Sequence, residues 1–243
     1  MCADAACLAL RLEGPLQSWG TTSQFNQRGT GLLPSRSAVM GLICAALGLP
    51  RGSEKERDWL ARCAGLHMKA VAVPRPVREA APGRNRAADD RKLSNRRREL
   101  AVRRLEDYHT VLDTPKAGGG SKDCHITIRQ YLLDAAFCVF LSGERPVLER
   151  AAAALQDPVW GLWLGRKCCI PSAPVFAGFF DTEDEALRQC LPRPLSELVW
   201  EEDAPSFHAG EDSVPDIPVS FASSSRQFSL RRITRHQGMR HAP

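Results

Sequence analysis

No apolar run in this chain of 243 residues approaches the ~18 residues that a membrane-spanning helix needs. The opening stretch, MCADAACLALRLEG, has neither the basic start nor the long apolar stretch of a secretory leader. The expectation is a cytoplasmic protein with no membrane partner. A disulfide framework is also missing. The nine cysteines, at 2, 7, 44, 63, 124, 138, 168, 169 and 190, are odd in number and form no C-x-x-C pair. Adjacent Cys168 and Cys169 cannot easily chelate one tetrahedral ion, and no histidine lies near them at ligand spacing. They read as reduced, mostly buried, small apolar residues. Gly29 and Gly31 precede a helix that opens near Arg36, a place where free backbone N–H groups favour an anion. Their spacing fits neither a P-loop nor a dinucleotide fingerprint. There is no G-x-S-x-G motif, and no pair of carboxylates suits glycoside hydrolysis. His67, His208, His236 and His241 are scattered. Neither a metal nor a cofactor is expected.

What is present is globular in composition. Hydrophobic residues make up 43% and charged residues 25%, which excludes wholesale disorder. A chain of this size buries roughly 70% of its unfolded surface. The net charge is only +5, but it is unevenly placed. Arg78, Arg84, Arg86, Arg91, Lys92, Arg96, Arg97, Arg98, Arg103 and Arg104 face four acidic residues in the same stretch. That stretch carries +6, which leaves −1 for the rest of the chain. Such a run is either a solvated loop or a nucleic-acid-binding arm. Arginine's planar fork suits phosphate and stacks on bases.

Along the chain, 5–12 alternates with Leu8, Leu10 and Leu12 on one face, which predicts a strand. Gly14, Pro15 and Gly20 punctuate a loop. Ser35 or Ser37 caps a helix running to about Leu47, stopped by Gly48 and Pro50. A helix over 54–64 and a strand over 66–73 follow. After the basic segment come strands at 125–133 and 135–141 and a helix at 146–155, with a last strand expected near 161–164 or later. Strand, helix, strand, strand, helix is most of a ferredoxin-like split βαβ unit. From Pro171 the chain reads as a smaller strand-rich part, with one strand around Phe228 and Leu230.

Two clusters suit RNA. Tyr108 and His109, with Lys116, Lys122 and His125, hold the residue types of a metal-independent ribonuclease: a base, an acid and a cation for the phosphorane. The same rings serve equally for stacking on bases. Gly165-Arg166-Lys167, after an apolar run containing Trp160 and Trp163, places two cations at the end of a buried segment. It fits either a phosphate contact or a charged turn.

Four segments in this order resemble the CasD family of the type I-E CRISPR Cascade complex. They are Gly14-Pro15-Leu16-Gln17-Ser18-Trp19-Gly20, Pro34-Ser35-Arg36-Ser37 through Gly41-Leu42, Arg129-Gln130-Tyr131-Leu132-Leu133-Asp134-Ala135-Ala136-Phe137, and Leu164-Gly165-Arg166-Lys167-Cys168-Cys169-Ile170-Pro171. The resemblance implies an α+β fold. Its ferredoxin-like, RRM/RAMP-type domain would occupy 1–170, with a long basic β-hairpin thumb at about 77–122 and a small strand-rich part at 171–243. It implies a non-catalytic subunit that grips the 5′ handle of the CRISPR RNA and caps the CasC backbone. Such a subunit contacts CasA and reaches target DNA only through the complex. Relatives in type I-C systems cleave repeat RNA, so a metal-independent endoribonuclease is the alternative. Carried onto this chain, Arg36, Arg129, Arg166 and Lys167 hold handle phosphates. Charge and location alone, with no family motif matched in that segment, assign Arg96, Arg97, Arg98, Arg103 and Arg104 to the lining of the thumb, with Tyr108 and His109 as candidate stacking residues. Gln17, Trp19, Arg28, Ser37, Lys122 and His125 complete the RNA-binding set.

Overall fold

The computed structural model describes residues 5–20, 23–24, 26–74, 103–116 and 118–237, with backbone alone at 23, 24 and 122. Strand β1 (Ala5–Glu13) alternates as expected, but both of its faces are covered. Ala6, Leu8, Leu10 and Leu12 enter the main core; Cys7 and Ala9 enter a second one on the opposite face. The main core is closed by α1 (Arg36–Ala46), α2 (Glu54–Cys63) and α3 (Arg145–Gln156). Ala186 of α4 (Glu183–Cys190) helps close the other.

The helices begin where their caps place them. Ser35 accepts from the Ala38 N–H at 3.4 Å and Ser53 from that of Glu56 at 3.1 Å, each filling an orphan donor of the first turn. Pro146 sits in the first turn of α3, where its missing N–H costs nothing. Gly48 takes a positive φ of 65° just beyond α1, as a helix stop requires.

Strands β5 (His67–Ala72), β8 (Ala136–Glu144), β9 (Phe176–Phe180), β10 (Val199–Asp203), β11 (Asp212–Ser220) and β12 (Gln227–His236) join β1 in one antiparallel sheet of order β11-β12-β10-β5-β8-β1-β9. Strands on both sides of residue 170 are thus hydrogen-bonded into the same sheet. The last strand of the first unit, expected near 161–164 or later, is β9. Residues 158–164 form no strand; Pro158, Gly161 and Gly165 interrupt the apolar run, and its start is bonded to the end of α1.

A second sheet is built on β7 (Ser121–Leu133). β6 (Arg103–Pro115) pairs with it as a hairpin, from Arg103 opposite Leu133 to Pro115 opposite Ser121. Gly119 and Gly120, at φ 88° and 77°, turn its tip. The other edge of β7 carries β2 (Leu16–Gln17) and, in parallel, β4 (Gln27–Arg28), which pairs with β3 (Ser23–Gln24). The strand expected at 125–133 is therefore the second arm of a hairpin spanning 103–133, rather than a strand that follows the insert. Its outer half packs on no core, so apolar patterning marks only the inner half.

Candidate nucleic-acid interface

The glycine-rich loop near the N-terminus and the Gly165 loop are locked together. The Ser18 N–H donates to the Leu164 carbonyl at 3.0 Å. A β-carbon on Gly165, at φ 97°, would fall 1.8 Å from the Ser18 carbonyl oxygen, and one on Gly14 would fall 2.7 Å from that of Ile170. Only glycine fits at Gly165. Gln17 is buried; its Nε2 donates to the carbonyls of Leu12 and Ala135 at 3.0 and 2.7 Å. Its Oε1 accepts from Trp19 Nε1 at 3.1 Å, and Trp19 is buried against Phe137. Gln17 and Trp19 are thus braces for the loop and not RNA contacts. A buried amide must find partners, and here those partners join β1, β2 and the turn before β8.

That brace positions a group of cations. Arg28 lies opposite Arg129 in the parallel pairing of β4 with β7. Arg166 Nη2 donates to the Arg28 carbonyl at 2.9 Å. Its guanidinium sits 4.8 Å from the centre of the Tyr131 ring, in cation–π range. Arg129 and Tyr131, two apart on β7, share a face of the hairpin with Asp107 and His109 of β6. The Arg129 Nε donates to Thr127 Oγ1 at 3.1 Å. Lys167 is exposed. Among the described residues, no carboxylate pairs with Arg129, Arg166 or Lys167. Arg166 Nη1 is buried with no hydrogen-bond partner. Burial pushes the Tyr131 phenol above its ordinary pKa, although Arg166 pulls it down.

His109 Nε2 lies 2.7 Å from Asp107 Oδ2 and 3.3 Å from the Tyr131 hydroxyl. Tyr108 is 69% exposed on the other face of the hairpin. Neighbours on a strand point oppositely, so Tyr108 and His109 do not converge as an acid–base pair. Arg104, on the same face as Tyr108, is exposed, whereas Arg103 is bound to Asp134. His125, half-buried opposite Val111, and the Lys122 backbone lie toward the tip. Ser37 is half-buried in the first turn of α1, 3.3 Å from Ser35 Oγ. Arg96, Arg97 and Arg98 lie outside the described residues.

Arg36 does not hold a phosphate. It is 2% exposed; Nη1 meets Asp203 at 2.7 Å and Nη2 donates to the Cys63 and Ala64 carbonyls at 2.9 and 3.1 Å. At that burial the guanidinium presents no surface to an RNA, and its charge is set against Asp203. Tyr131, two residues from Arg129, was not among the candidates read from the sequence. Strand alternation was the available signal. Among the described residues, no group of His, Cys, Asp and Glu could hold a metal ion, and no helix is long and apolar enough to cross a membrane.

A family described as CRISPR-associated protein (Cas_Cas5) matches residues 7–234. The chain belongs to this family. It is 30% identical over 230 residues to the CRISPR system Cascade subunit CasD of Escherichia coli (strain K12), covering 92% of each chain. A chain in the structure of a CRISPR RNA-guided surveillance complex superposes with a TM-score of 0.67 at 27% identity, covering 94% of this chain and 88% of that one. A second structure, described as a Cas protein, gives 0.61 at 29% identity, covering 95% and 93%. The α+β fold with its mostly antiparallel sheet is that of the Cas5 family.

Proposed function

We propose that the chain is a non-catalytic, RNA-binding subunit of a type I-E CRISPR surveillance complex in the cytoplasm. It grips the 5′ handle of the CRISPR RNA and caps a CasC-type backbone beside a CasA-type large subunit. One observation carries the reading: among the described residues, Arg129, Arg166 and Lys167 form no ion pair with a carboxylate, and Arg166 is bonded to the strand that runs beside Arg129. Phosphate contacts of this kind hold a strand without reading its bases. The antiparallel order β9-β1-β8-β5, with α1 and α3 as the crossovers, supports a ferredoxin-like RAMP domain. The β6–β7 hairpin stands where that domain's thumb belongs, with Arg104 and Tyr108 along one face and His125 and Lys122 toward the tip. Arg96, Arg97 and Arg98 extend the same basic segment.

The test uses purified protein and end-labelled CRISPR repeat RNA in EDTA, run on matched native and denaturing gels. A native shift with intact RNA is expected, abolished by the double substitution Arg129→Ala, Lys167→Ala. New short bands on the denaturing gel assign a metal-independent endoribonuclease instead.

A further inference from the structure

Tryptophan gains more from burial than most side chains. Two of the five tryptophans here lie at the surface within four residues of each other: Trp160 is 45% exposed and Trp163 39%. Val159 and Ile170 are exposed as well. The loop that carries them is anchored along its length. The N–H groups of Val159 and Trp160 donate to the carbonyls of Ala46 and Ala45 at 2.9 and 3.3 Å, and that of Leu164 donates to Cys169 at 2.8 Å. The Trp163 ring rests on Gly161, where a β-carbon would come within 2.7 Å of it. One part of the ring is backed by main chain and the rest faces solvent. The Gly165 N–H donates to the Trp163 carbonyl at 2.7 Å, so the ring's residue is tied to the turn that presents Arg166 and Lys167.

We infer that Trp163, with Trp160 on the same loop, is a stacking platform for an unpaired base of the strand held at the Arg129–Arg166–Lys167 surface. The inference rests on the RNA-binding reading above. An anchored aromatic face tied to the turn that carries Arg166 and Lys167 supplies both contacts that grip a single strand: stacking, which every base accepts, and charge on its phosphates. A protein neighbour would need only apolar area from this loop. A base needs the π-face. The positive charge of Arg129, Arg166 and Lys167, none of which forms an ion pair among the described residues, selects a polyanion.

The test titrates the full chain with fluorescein-labelled, single-stranded CRISPR repeat RNA by anisotropy at several salt concentrations. Losing one stack should weaken binding roughly five- to a hundredfold in Trp163→Leu, with much of it kept in Trp163→Phe. The slope of log K against log salt should not change, because no phosphate contact is lost. Trp160→Leu should show a smaller loss of the same kind. If Trp163→Leu binds like the parent while Arg129→Ala, Lys167→Ala binds weakly, the platform is overturned and the RNA surface stands. If that double variant also binds like the parent, the RNA-binding reading itself falls. Equal losses in Trp163→Leu and Trp163→Phe, with a lowered Tm, would mean a structural ring and overturn the platform. RNA binding like the parent's together with failure to join a reconstituted complex would assign the loop to a protein neighbour, and also overturn it.

Discussion

Arginine does opposite work in two regions of this molecule. Among the C-terminal strands, Arg36 and Arg231 are buried with Glu201, Asp203 and Asp216. Arg231 alone meets Asp216 at 2.8 Å, Asp203 at 2.9 Å and Glu201 at 3.2 Å. At the base of the hairpin, Arg129 and Arg166 are half-buried against a hydroxyl, a carbonyl and an aromatic ring. A buried guanidinium is stable only when carboxylates compensate the water it has lost. Once compensated, it presents no field to a partner. The uncompensated group costs the free protein some stability and keeps its charge available. Within the buried cluster the two arginines are shifted in opposite directions. Burial lowers the Arg36 pKa against the pull of Asp203, whereas for Arg231 the hydrogen-bonded carboxylates of Asp216 and Asp203 overcome burial and raise it. The lesson is that counting cations locates neither a binding surface nor a core. Counting the carboxylates around them does.

The contrast can be broken most forcefully from the buried side. Arg231→Met leaves Asp216 without a side-chain cation, and Asp203 and Glu201 with only Arg36 and Arg235, in a buried cluster. It should cost about 3–5 kcal/mol, read by calorimetry as a fall of roughly 10 °C in Tm. An unchanged Tm would mean that the network does not hold β10–β12 together. Gly165→Ala comes next. It forces a side chain into a left-handed backbone against the Ser18 carbonyl, at about 1–3 kcal/mol. It should lower both the Tm and RNA affinity, because Arg166 rides on that turn.

Substitutions on the exposed side should do the reverse. Arg129→Ala and Lys167→Ala should each shift stability by no more than about 0.5 kcal/mol. Each should also reduce the salt slope of RNA binding by roughly 0.7, as titrations at several salt concentrations would reveal. Thiol labelling sharpens the same boundary. Burial pushes Cys44, Cys63 and Cys169 up to about 12, so at pH 8 they should stay unmodified. Exposed Cys124 and Cys168 should react. Bound RNA should protect Cys168, beside the cations, more than Cys124 near the hairpin tip, as peptide mapping by mass spectrometry would show.

The smallest effect belongs to a pair outside both clusters. Burial raises the Glu183 pKa, but Lys69 and Ser142 outweigh it and hold it below 4.5. A carboxyl depressed on folding stabilises above its unfolded pKa and loses that contribution as pH falls through its folded value. Melting curves of Glu183→Gln should therefore converge on those of the parent as pH falls below the ordinary carboxyl range and through the lowered folded-state value. A gap that persists there would show that the residue acts by packing alone.

Much of this could be read before the structure. The helices after Ser35 and Ser53 are announced by their caps, and that of Arg145–Gln156 by its proline and apolar spacing. The extent of the hairpin was not legible. Its outer half has no core behind it, so 121–124 carries no burial pattern and reads as loop. Nor was the fate of the apolar run at 158–164. Periodicity cannot distinguish a buried strand from a loop that shows its rings to solvent. Of the candidate RNA residues, Arg28, Arg129, Arg166 and Lys167 are brought together in the structure, while Gln17, Trp19 and Arg36 are taken into the interior.

The amino-acid order by itself determined the family, the helices after Ser35, after Ser53 and at Arg145–Gln156, and the excess of arginine, because each is written in local spacing and in short motifs; the helix Glu183–Cys190 was not read from it. Only the tertiary structure decided which arginines remain available. Arg36 meets Asp203 and Asp216 across 167 and 180 residues of chain, and Arg166 reaches Arg28 across 138. Neutralisation depends on distance in space, and no local pattern in the sequence encodes contacts that far apart.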